Sequence, residues 1–516
     1  MTTPSPRTPD TRVARPGQAG GRSRAAGRPW AMVAISLVLS GCAVGPTYQK
    51  PSPPAVSRYT HQPLPAQLPA GDAGSPTTTI EKQNIRYGGP VEQRWWDNFH
   101  SPALSALVDK ALAHNPDIAA AQATLEQAEY QLRASQGGLF PQASAGVSSG
   151  RIRDSGASSN GMTGPQLFDL HTGRVSVSYL PDVFGLTRQQ IKGADAQADV
   201  AREQLAAAQL TITGRVVSTV LDIARLEETI RTLTDNWNAS QNILESTRAR
   251  YRLGAISQFE MLAQEKQSLD IQSQLTQRQK DLDQVHHRLD IYLGEFPGNA
   301  GKEKIPSFSE LALPQELPLS LPSSLVNARP DIRAAEAQLR AANAQVGEAA
   351  ARLYPRIQIT ADFGRQSNTA ATFFNPASRI WDLAGGLIMP LFQGGTLRAE
   401  KQASEAAYRA ELARYRSTVL KAFLEVADVL QALRHDADDS QSREQTMLAA
   451  KQSLALSSAQ YRAGEIDRPA LLAGEMQYRT ARLAFVAAAI QRYADTTALY
   501  LALGGGHPAS ARPSQP

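Results

Sequence analysis

The chain has 516 residues, of which 42% are hydrophobic and 20% charged, and its formal net charge is +5. A single cysteine excludes an intramolecular disulfide framework and a cysteine-cluster metal site. No uninterrupted apolar stretch reaches the roughly 18 residues that a membrane-spanning helix needs. Six arginines and one acid precede Cys42, so the remainder has no net charge and lacks the basic footprint of a nucleic-acid-binding protein.

The amino terminus has the layout of a bacterial lipoprotein signal. An arginine-rich segment precedes the apolar run 31–39, which has signal-peptide length and is too short to span a membrane. The run ends in Leu39-Ser40-Gly41-Cys42, which resembles the lipobox in which the cysteine is acylated. We therefore predict a signal peptide over 1–41 and a lipid anchor on Cys42. The proline-rich segment 42–84 is expected to be an extended, semi-rigid tether.

The chain contains two similar halves. Three segments of the first half recur in the second, at offsets of 214, 210 and 210 residues: Asn115-Pro116-Asp117-Ile118 with Arg329-Pro330-Asp331-Ile332 (from the proline onwards), Tyr251-Arg252-Leu253-Gly254 with Tyr461-Arg462-Ala463-Gly464, and Leu293-Gly294 with Leu503-Gly504. These spacings are too long for a solenoid array. They predict one structural unit used twice, over 85–305 and 322–506, with a linker at 306–321 and a disordered tail at 507–516.

Each half has the same predicted order of elements. A helix comes first, over about 101–138 in one half and 322–351 in the other. Two segments with period-two alternation follow in each half, and they predict strands at about 143–149, 172–180, 356–366 and 379–389. Their pattern matches that of outer-membrane strands, which have one lipid face and one wet face. The polar segments 153–165 and 367–377 resemble cell-surface loops.

Very long helices complete each half. Small and apolar residues recur at alternating spacings of three and four in two series, here called the first seam (Ile191, Ala194, Ala198, Ala201, Leu205, Ala208, Ile212) and the second seam (Ala399, Ala403, Ala406, Ala410, Ala413, Ser417, Leu420, Leu424, Ala427). Heptad spacing of this kind is typical of coiled helices. A helix over 187–250 would be roughly 95 Å long. It therefore predicts an extended coiled structure that includes other chains.

Four membrane strands cannot form a closed barrel. Their unpaired edges would face hydrocarbon, and the smallest common barrels have eight strands. The strands must therefore be pooled between subunits, although the alternation itself does not fix the number of subunits.

The chain resembles the TolC-like outer membrane factor family, in the lipoprotein branch that works with resistance-nodulation-division pumps. The resemblance covers about 42–506 and is carried by four motifs: Ala43-Val44-Gly45-Pro46-Thr47-Tyr48 after the lipobox, Trp95-Trp96-Asp97, Arg329-Pro330-Asp331-Ile332 with Ala335-Glu336, and Ala502-Leu503-Gly504-Gly505-Gly506. It implies a mainly α-helical fold with a membrane portion, in which a homotrimer pools four strands per subunit into a twelve-stranded barrel. A long helical tunnel below the barrel would cross the periplasm of a Gram-negative bacterium.

The resemblance also implies partners and site residues. The partners are a periplasmic adaptor, an inner-membrane pump and outer-membrane lipid, and no cofactor is implied. The hairpin tips that would contact the adaptor are Arg252, Leu253, Gly254, Arg462, Ala463 and Gly464. Many family members have an aspartate that narrows the closed tunnel, but Ala473 stands at that position here. Four other acids are candidates for the aperture: Glu260, Glu265, Asp467 and Glu475.

Enzyme signatures are weak. The G-x-S-x-G match at 146–150 runs from a predicted strand into a polar loop, where no nucleophile elbow forms. The acids near His435 have neither EF-hand nor zincin spacing. Because the chain has no P-loop, energy must come from a partner. The sequence thus predicts the passive outer-membrane channel of a tripartite efflux system. Two alternatives are a channel for type I protein secretion and a lipid-anchored periplasmic adaptor without a pore.

Overall fold

The structure is a computed structural model that describes residues 44–56, 58–61, 65–68, 82–89, 91–153, 167–297 and 303–506. The predicted signal peptide, Cys42, the tail at 507–516, nearly all of the loop 153–165 and part of the 42–84 tether lie outside the described residues.

The first half begins with short elements and ends in a long helical hairpin. In chain order its elements are β1 (Gln67–Leu68), β2 (Gln83–Tyr87), a 3-10 helix (Trp95–Phe99), α1 (Pro102–His114), α2 (Pro116–Gly137), β3 (Gln142–Arg153), β4 (Leu167–Tyr179), α3 (Leu186–Arg252) and α4 (Gln258–Tyr292).

The second half repeats this order. Its elements are a 3-10 helix (Phe308–Glu310), β5 (Glu316–Leu319), α5 (Pro322–Ala328), α6 (Pro330–Ala351), β6 (Arg356–Ser367), two 3-10 turns (Ala370–Thr372 and Pro376–Ser378), β7 (Arg379–Ile388), α7 (Thr396–Ala463) and α8 (Arg468–Ala502). The predicted two-fold repeat is therefore present in the order of the elements.

The helices predicted over about 101–138 and 322–351 are each two helices. Asn115 and Arg329 both have extended backbone angles, because the residue before a proline avoids the helical region. The Asn115 side chain accepts from the first amides of α2 and caps it. Each break turns the chain, so that a short helix is followed by a longer one leading to the membrane strands.

Asn115 and Arg329 also connect the proline break of each half to the end of the last helix of that half. Asn115 Nδ2 donates to the Tyr292 carbonyl at the end of α4 (2.9 Å), and Arg329 Nη1 donates to the Ala502 carbonyl at the end of α8 (2.8 Å). Gly504 has a φ of 91° beside these contacts, and a β-carbon there would lie 2.8 Å from the Ala328 carbonyl oxygen. The repeated Leu-Gly motif thus allows the last helix of each half to pack against the proline break.

The membrane strands form one open antiparallel sheet in the order β3-β4-β6-β7. β3 is longer than the predicted 143–149, because Arg151 and Ile152 remain paired with Asp169 and Phe168 of β4. β4 joins the two halves by pairing with β6 over nine positions, from His171 to Tyr179. Within the described residues, β3 and β7 each have a partner on one side only.

The linker at 306–321 is more ordered than predicted. Its strand β5 pairs in parallel with β2, and β1 pairs with the other edge of β2. Leu68 and Leu317 of this small sheet are fully buried, so parts of the predicted tether and linker belong to the folded body. Earlier in the tether, Lys50 lies 2.9 Å from Glu336 and Asn343 donates to the Pro46 carbonyl. The tether is therefore docked along α6.

Two helices of 67 and 68 residues, α3 and α7, give the chain its length. At 1.5 Å per residue each is about 100 Å long. Small residues allow α3 to approach α6 closely, since a β-carbon at Gly193 would lie 3.7 Å from that of Ala344. The first seam is buried or half-buried within the chain, whereas the second seam is exposed from Ala399 to Leu424.

Candidate functional site

The membrane sheet has one apolar and one polar face. Residues directly opposite each other on paired strands share a face. One face carries Val175, Val177, Phe363, Trp381 and Leu383, and Phe363, Trp381 and Leu383 are between 65% and 76% exposed. The opposite face carries serines, Thr360, Asp362 and Asp382. An exposed apolar face beside a polar one is the pattern of a barrel strand between lipid and a wet lumen.

Charges are clustered on the polar face. Asp362 is directly opposite Asp382 in the register, and Arg174 Nε lies 3.9 Å from Asp362 Oδ1. The Ser176 hydroxyl also donates to Asp362. A mixed charged patch therefore lines the side of the sheet that faces the lumen.

The predicted tips are exposed helix-to-helix turns. α3 ends at Arg252, and Gly254 has a φ of 71°. α7 ends at Ala463, and Gly464 caps it with a φ of 77°. These positive angles explain why each Tyr-Arg-x-Gly motif ends in glycine. Leu253 is 84% exposed at the first tip, and Phe259 just beyond it is 81% exposed. Exposed apolar side chains on a turn are suited to contacts with another protein.

The four candidate aperture acids all have local partners. Glu260 forms a capping box with Ser257 at the start of α4, and Glu265 lies 2.6 Å from Arg248. Asp467 caps α8 by accepting from the Ala470 amide, and its other oxygen lies 3.7 Å from Arg250.

Glu475, the fourth acid, pairs with Arg479 at 2.8 Å within α8. Of the four, only Asp467 pairs with a residue of the other hairpin. The structure therefore distinguishes Asp467 from the rest, which sequence spacing could not do.

A buried polar cluster that the sequence did not reveal lies between α7, α8 and β2. Arg492 is 1% exposed and donates to Gln83 Oε1 at 2.9 Å. Burial lowers the pKa of the Arg492 guanidinium to about 10. Burial and the neighbouring Asp436 carboxyl raise the pKa of Asp495 to about 7. Asp436 is one of the acids near His435, whose spacing matches neither an EF-hand nor a zincin site.

The Arg-Pro-Asp motif holds three helices together. The Arg329 guanidinium is nearly buried, and it donates to Asp331, to Glu425 of α7 and to the end of α8. Its two carboxylate partners lie at 2.8 and 2.7 Å. This network is structural and explains why an arginine stands before the proline in this half.

Neither a metal centre nor an apolar helical span is found in the described part of the chain. Within those residues no group of three or more metal-ligating side chains converges. Among the described helices, none is both long enough and apolar enough to cross a membrane.

An open sheet with a dry and a wet face, continued by helices about 100 Å long, defines the class of protein. It is a subunit of an outer-membrane channel with a periplasmic extension. Residues 107–295 and 321–505, most of both halves, match the family described as outer membrane efflux protein. The chain belongs to this family.

Curated relatives agree with this assignment. The chain is 31% identical over 423 residues to a pyoverdine export outer membrane protein, OpmQ, from Pseudomonas putida, covering 80% of this chain and 88% of that protein. It is 28% identical over 485 residues to a probable efflux pump outer membrane protein, TtgC, from the same organism, covering 92% and 95%. The chain is thus an efflux channel of the Gram-negative outer membrane, as the sequence predicted.

Solved structures show the same fold. The outer-membrane channel OprN superposes with a TM-score of 0.76 at 23% identity, over 90% of this chain and 99% of that one. The Campylobacter jejuni CmeC channel superposes with a TM-score of 0.78 at 19% identity, over 91% and 96%. The predicted fold class and family are therefore confirmed, while the alternative of an adaptor without a pore does not agree with the membrane sheet.

Proposed function

We propose that three copies of this chain close into a passive exit duct for small molecules, driven by an inner-membrane pump of the resistance-nodulation-division type through a periplasmic adaptor. The observation that carries the proposal is the membrane sheet, with its lipid face, its wet face and two edge strands that have no partner on their outer side among the described residues. Such edges are not stable in hydrocarbon.

The repeat supplies the geometry of closure. Within one chain the halves are joined by β4 against β6 and by α3 against α6. The same kind of junction can form between the second half of one copy and the first half of the next. There β7 would pair with β3, and α7 would pack against α2. The exposed second seam on α7 and the exposed alanines of α2, such as Ala119 and Ala123, are suited to this contact. A closed ring therefore needs several copies, and three copies give twelve strands.

The tips are the proposed docking points for the adaptor. Arg252, Leu253 and Gly254 form one tip, and Arg462, Ala463 and Gly464 form the other. Both are exposed at the end of the helices farthest from the membrane sheet. Leu253 offers an apolar anchor and the two arginines offer charge, a combination that favours a specific, moderately strong contact. Leu253→Ser is expected to weaken drug resistance while leaving the trimer intact.

Asp467 is the proposed aperture residue among the four acids. Its pairing with Arg250 links the second hairpin to the first at the closed end of the tunnel. Glu260, Glu265 and Glu475 would contribute charge near the tip but no link between hairpins. Docking of an adaptor at the neighbouring tips would separate Arg250 from Asp467 and widen the passage.

Lipidation of Cys42 remains part of the proposal. The Val44 amide donates to the Phe184 carbonyl at 3.2 Å, five residues after β4 ends. This contact holds Val44 beside the inner end of the membrane sheet, which supports an acyl anchor that inserts there. Radiolabelled palmitate should label the wild type, and Cys42→Ala should abolish the label.

The relatives of this chain are named for chemically different cargoes. One of them is a toluene efflux protein of Pseudomonas putida and another a cation efflux protein of Escherichia coli. The decisive experiment is single-channel recording of the purified trimer, combined with drug and metal sensitivity of a deletion strain. Conductance with restored resistance supports the duct. A secretion defect for one protein substrate, with unchanged sensitivity, would favour type I secretion instead.

A further inference from the structure

A pair of arginines lies on the lipid face of the sheet near its outer end. At this level one row of the register runs Val147, Gly173, Arg365, Arg379 across the four strands. The row below it on the same face runs Ala145, Val175, Phe363, Trp381, and is entirely apolar. The lipid face therefore changes from apolar to basic within one step of the ladder.

The two arginines are directly opposite each other on β6 and β7. Like charges in this position are destabilising unless something compensates them. On the same face, the row above carries Ser149, His171 and Ser367, and the row beyond it has the Arg151–Asp169 pair at 3.8 Å. Asp169 is thus engaged with Arg151, so no carboxylate in the described rows of the sheet pairs with Arg365 or Arg379.

A groove of about 570 Å³ lies beside this pair. Gly173 has no side chain at its floor, and Phe373 of the outer loop overhangs it, with Cζ 2.9 Å from where a β-carbon would stand. Val175 and Phe363 form its apolar wall. The Phe373 ring therefore covers Gly173, and the open part of the groove lies along Val175 and Phe363, beside the two arginines.

The outer loop holds one of the arginines in place. Arg365 Nη1 donates to the Phe373 and Asn375 carbonyls, and its guanidinium lies 5.9 Å from the Phe374 ring centroid. These loop contacts therefore fix the direction of the Arg365 side chain at the outer end of the sheet. Arg379 is exposed next to it and lines the same groove. The result is a cation held by the loop beside an exposed one, both above an apolar groove.

We propose that this groove binds a phosphorylated lipid of the outer leaflet, of the lipid A class. A phosphate would lie between Arg365 and Arg379, since guanidinium groups bind phosphate through charge-assisted hydrogen bonds. An acyl chain would follow the wall formed by Val175 and Phe363, and Trp381 would mark the interface below. A free phosphate would use the same cations but would leave the groove unfilled, so the amphiphile is the better match.

The test uses the purified full-length trimer in delipidated form. Native mass spectrometry would count and titrate three probes: bisphosphorylated lipid A, enzymatically dephosphorylated lipid A, and inorganic phosphate. We expect saturable binding of bisphosphorylated lipid A, weakened about tenfold or more by Arg379→Gln. Arg379→Lys should keep most of the affinity. The matched control is Arg356→Gln, an exposed arginine at the inner end of β6 that does not line the groove, which should change lipid binding less than twofold.

Three outcomes would overturn the proposal. Equal binding of dephosphorylated lipid A would show that the arginines are not used. Inorganic phosphate that competes as well as the lipid would point to a free-anion site. Equal losses in Arg379→Gln and Arg356→Gln would indicate a general charge effect. Heat-modifiable migration of each variant as a trimer keeps misfolding from being mistaken for a binding defect.

Discussion

The two halves of the chain contain the same elements, yet their long helices have different surroundings. α3 packs against α2, α4, α6 and α8. The first seam is therefore buried or half-buried within the chain. α7 packs against α6 and α8, and its seam remains open, with Leu420 71% and Leu424 59% exposed. The first seam is therefore covered within one chain, whereas the second seam is left open on the surface of the single subunit.

The interiors of the two hairpins also differ. At the offset of 210, the half-buried Asp436 and the buried Arg492 and Asp495 correspond to Leu226, Leu282 and Val285. Leu226 and Val285 are buried in the hydrophobic core of the first half. At these positions the first hairpin has apolar side chains in its interior. The second hairpin has a polar network there, which includes Gln83 of β2. Such networks favour one arrangement but cost stability when incomplete.

The largest expected effect tests whether the exposed second seam is the contact surface between copies of the chain. The double change Leu420→Glu and Leu424→Glu should abolish trimer formation, because it puts charges into the contact that α7 is expected to make with a second copy. The helical content of the chain should persist, since both side chains are exposed in the single subunit. Size-exclusion chromatography with light scattering and far-ultraviolet circular dichroism would measure the two properties.

Lys421→Glu is the matched control for this change. Lys421 is exposed beside Leu420 but lies outside the second seam. The control should remain trimeric. If the double variant also stayed trimeric, the second seam would face solvent or the tunnel, and the closure proposed here would be wrong.

The second prediction compares the two proline breaks. Arg329→Ala removes a nearly buried guanidinium and leaves Asp331, Glu425 and the end of α8 without their donor. Because both carboxylates are about half exposed, solvent compensates part of the loss, and the expected cost is about 2–3 kcal/mol. Asn115→Ala removes one cap and one neutral hydrogen bond, for a cost of about 1–2 kcal/mol. Thermal unfolding of both variants should therefore show the larger loss for the second half.

Arg329→Lys sharpens this test. A lysine keeps the charge but cannot reach three acceptors in the planar arrangement of a guanidinium. Its melting temperature should fall between those of the wild type and Arg329→Ala. Equal destabilisation by Asn115→Ala and Arg329→Ala would contradict the assigned difference.

Much of the fold could be predicted because it follows from local rules. Period-two alternation identifies the four membrane strands, and the absence of proline over 182–296 identifies a helical hairpin. Gly254 and Gly464 mark the turns because these turns need positive φ. The break at Pro116 was available from the same rules but was missed, since the helical pattern on both sides of it is continuous.

The rest depends on distant contacts that spacing does not encode. The pairing of β5 with β2 joins residues more than 230 positions apart. The burial of Asp495 follows from the packing of α7, α8 and β2, while its own sequence context reads as an ordinary helix. Likewise, all four candidate aperture acids look alike in the sequence, and only the folded chain places Asp467 beside Arg250.

The third prediction concerns pH and the polar network. The pKa of Asp495 is raised to about 7 by burial and by Asp436, well above its value in an unfolded chain. The folded state therefore binds more protons than the unfolded state between about pH 4 and pH 7, so this group lowers stability as pH rises through that range. Asp495→Asn should remove that loss. The melting temperature of the variant minus that of the wild type should be higher at pH 8 than at pH 5, by about 2–4 °C or more.

Val285→Ala serves as the comparison for the first half. It replaces the residue at the position equivalent to Asp495 by a smaller apolar one, so it should destabilise the chain equally at both pH values. Parallel pH profiles for wild type and Asp495→Asn would show that Asp495 does not titrate in this range.

The smallest expected effect concerns the link between the hairpins. Arg250→Gln removes the pair with Asp467, which joins α3 to the start of α8. Both groups are more than half exposed, so the pair contributes only about 0.2–1 kcal/mol. If this link helps to keep the tunnel closed, its loss should raise the open probability about two- to fivefold in planar bilayers at low salt, and the gain should shrink in 1 M salt.

Arg248→Gln is the matched control, because the Arg248–Glu265 pair lies within one hairpin and should not affect gating. Asp467→Asn completes the cycle, since asparagine still caps α8 but carries no charge. The double variant Arg250→Gln with Asp467→Asn should open no more often than either single variant, because both remove the same contact. Additive increases would mean that the two residues act separately, and that the two hairpins are held together by other contacts along the tunnel.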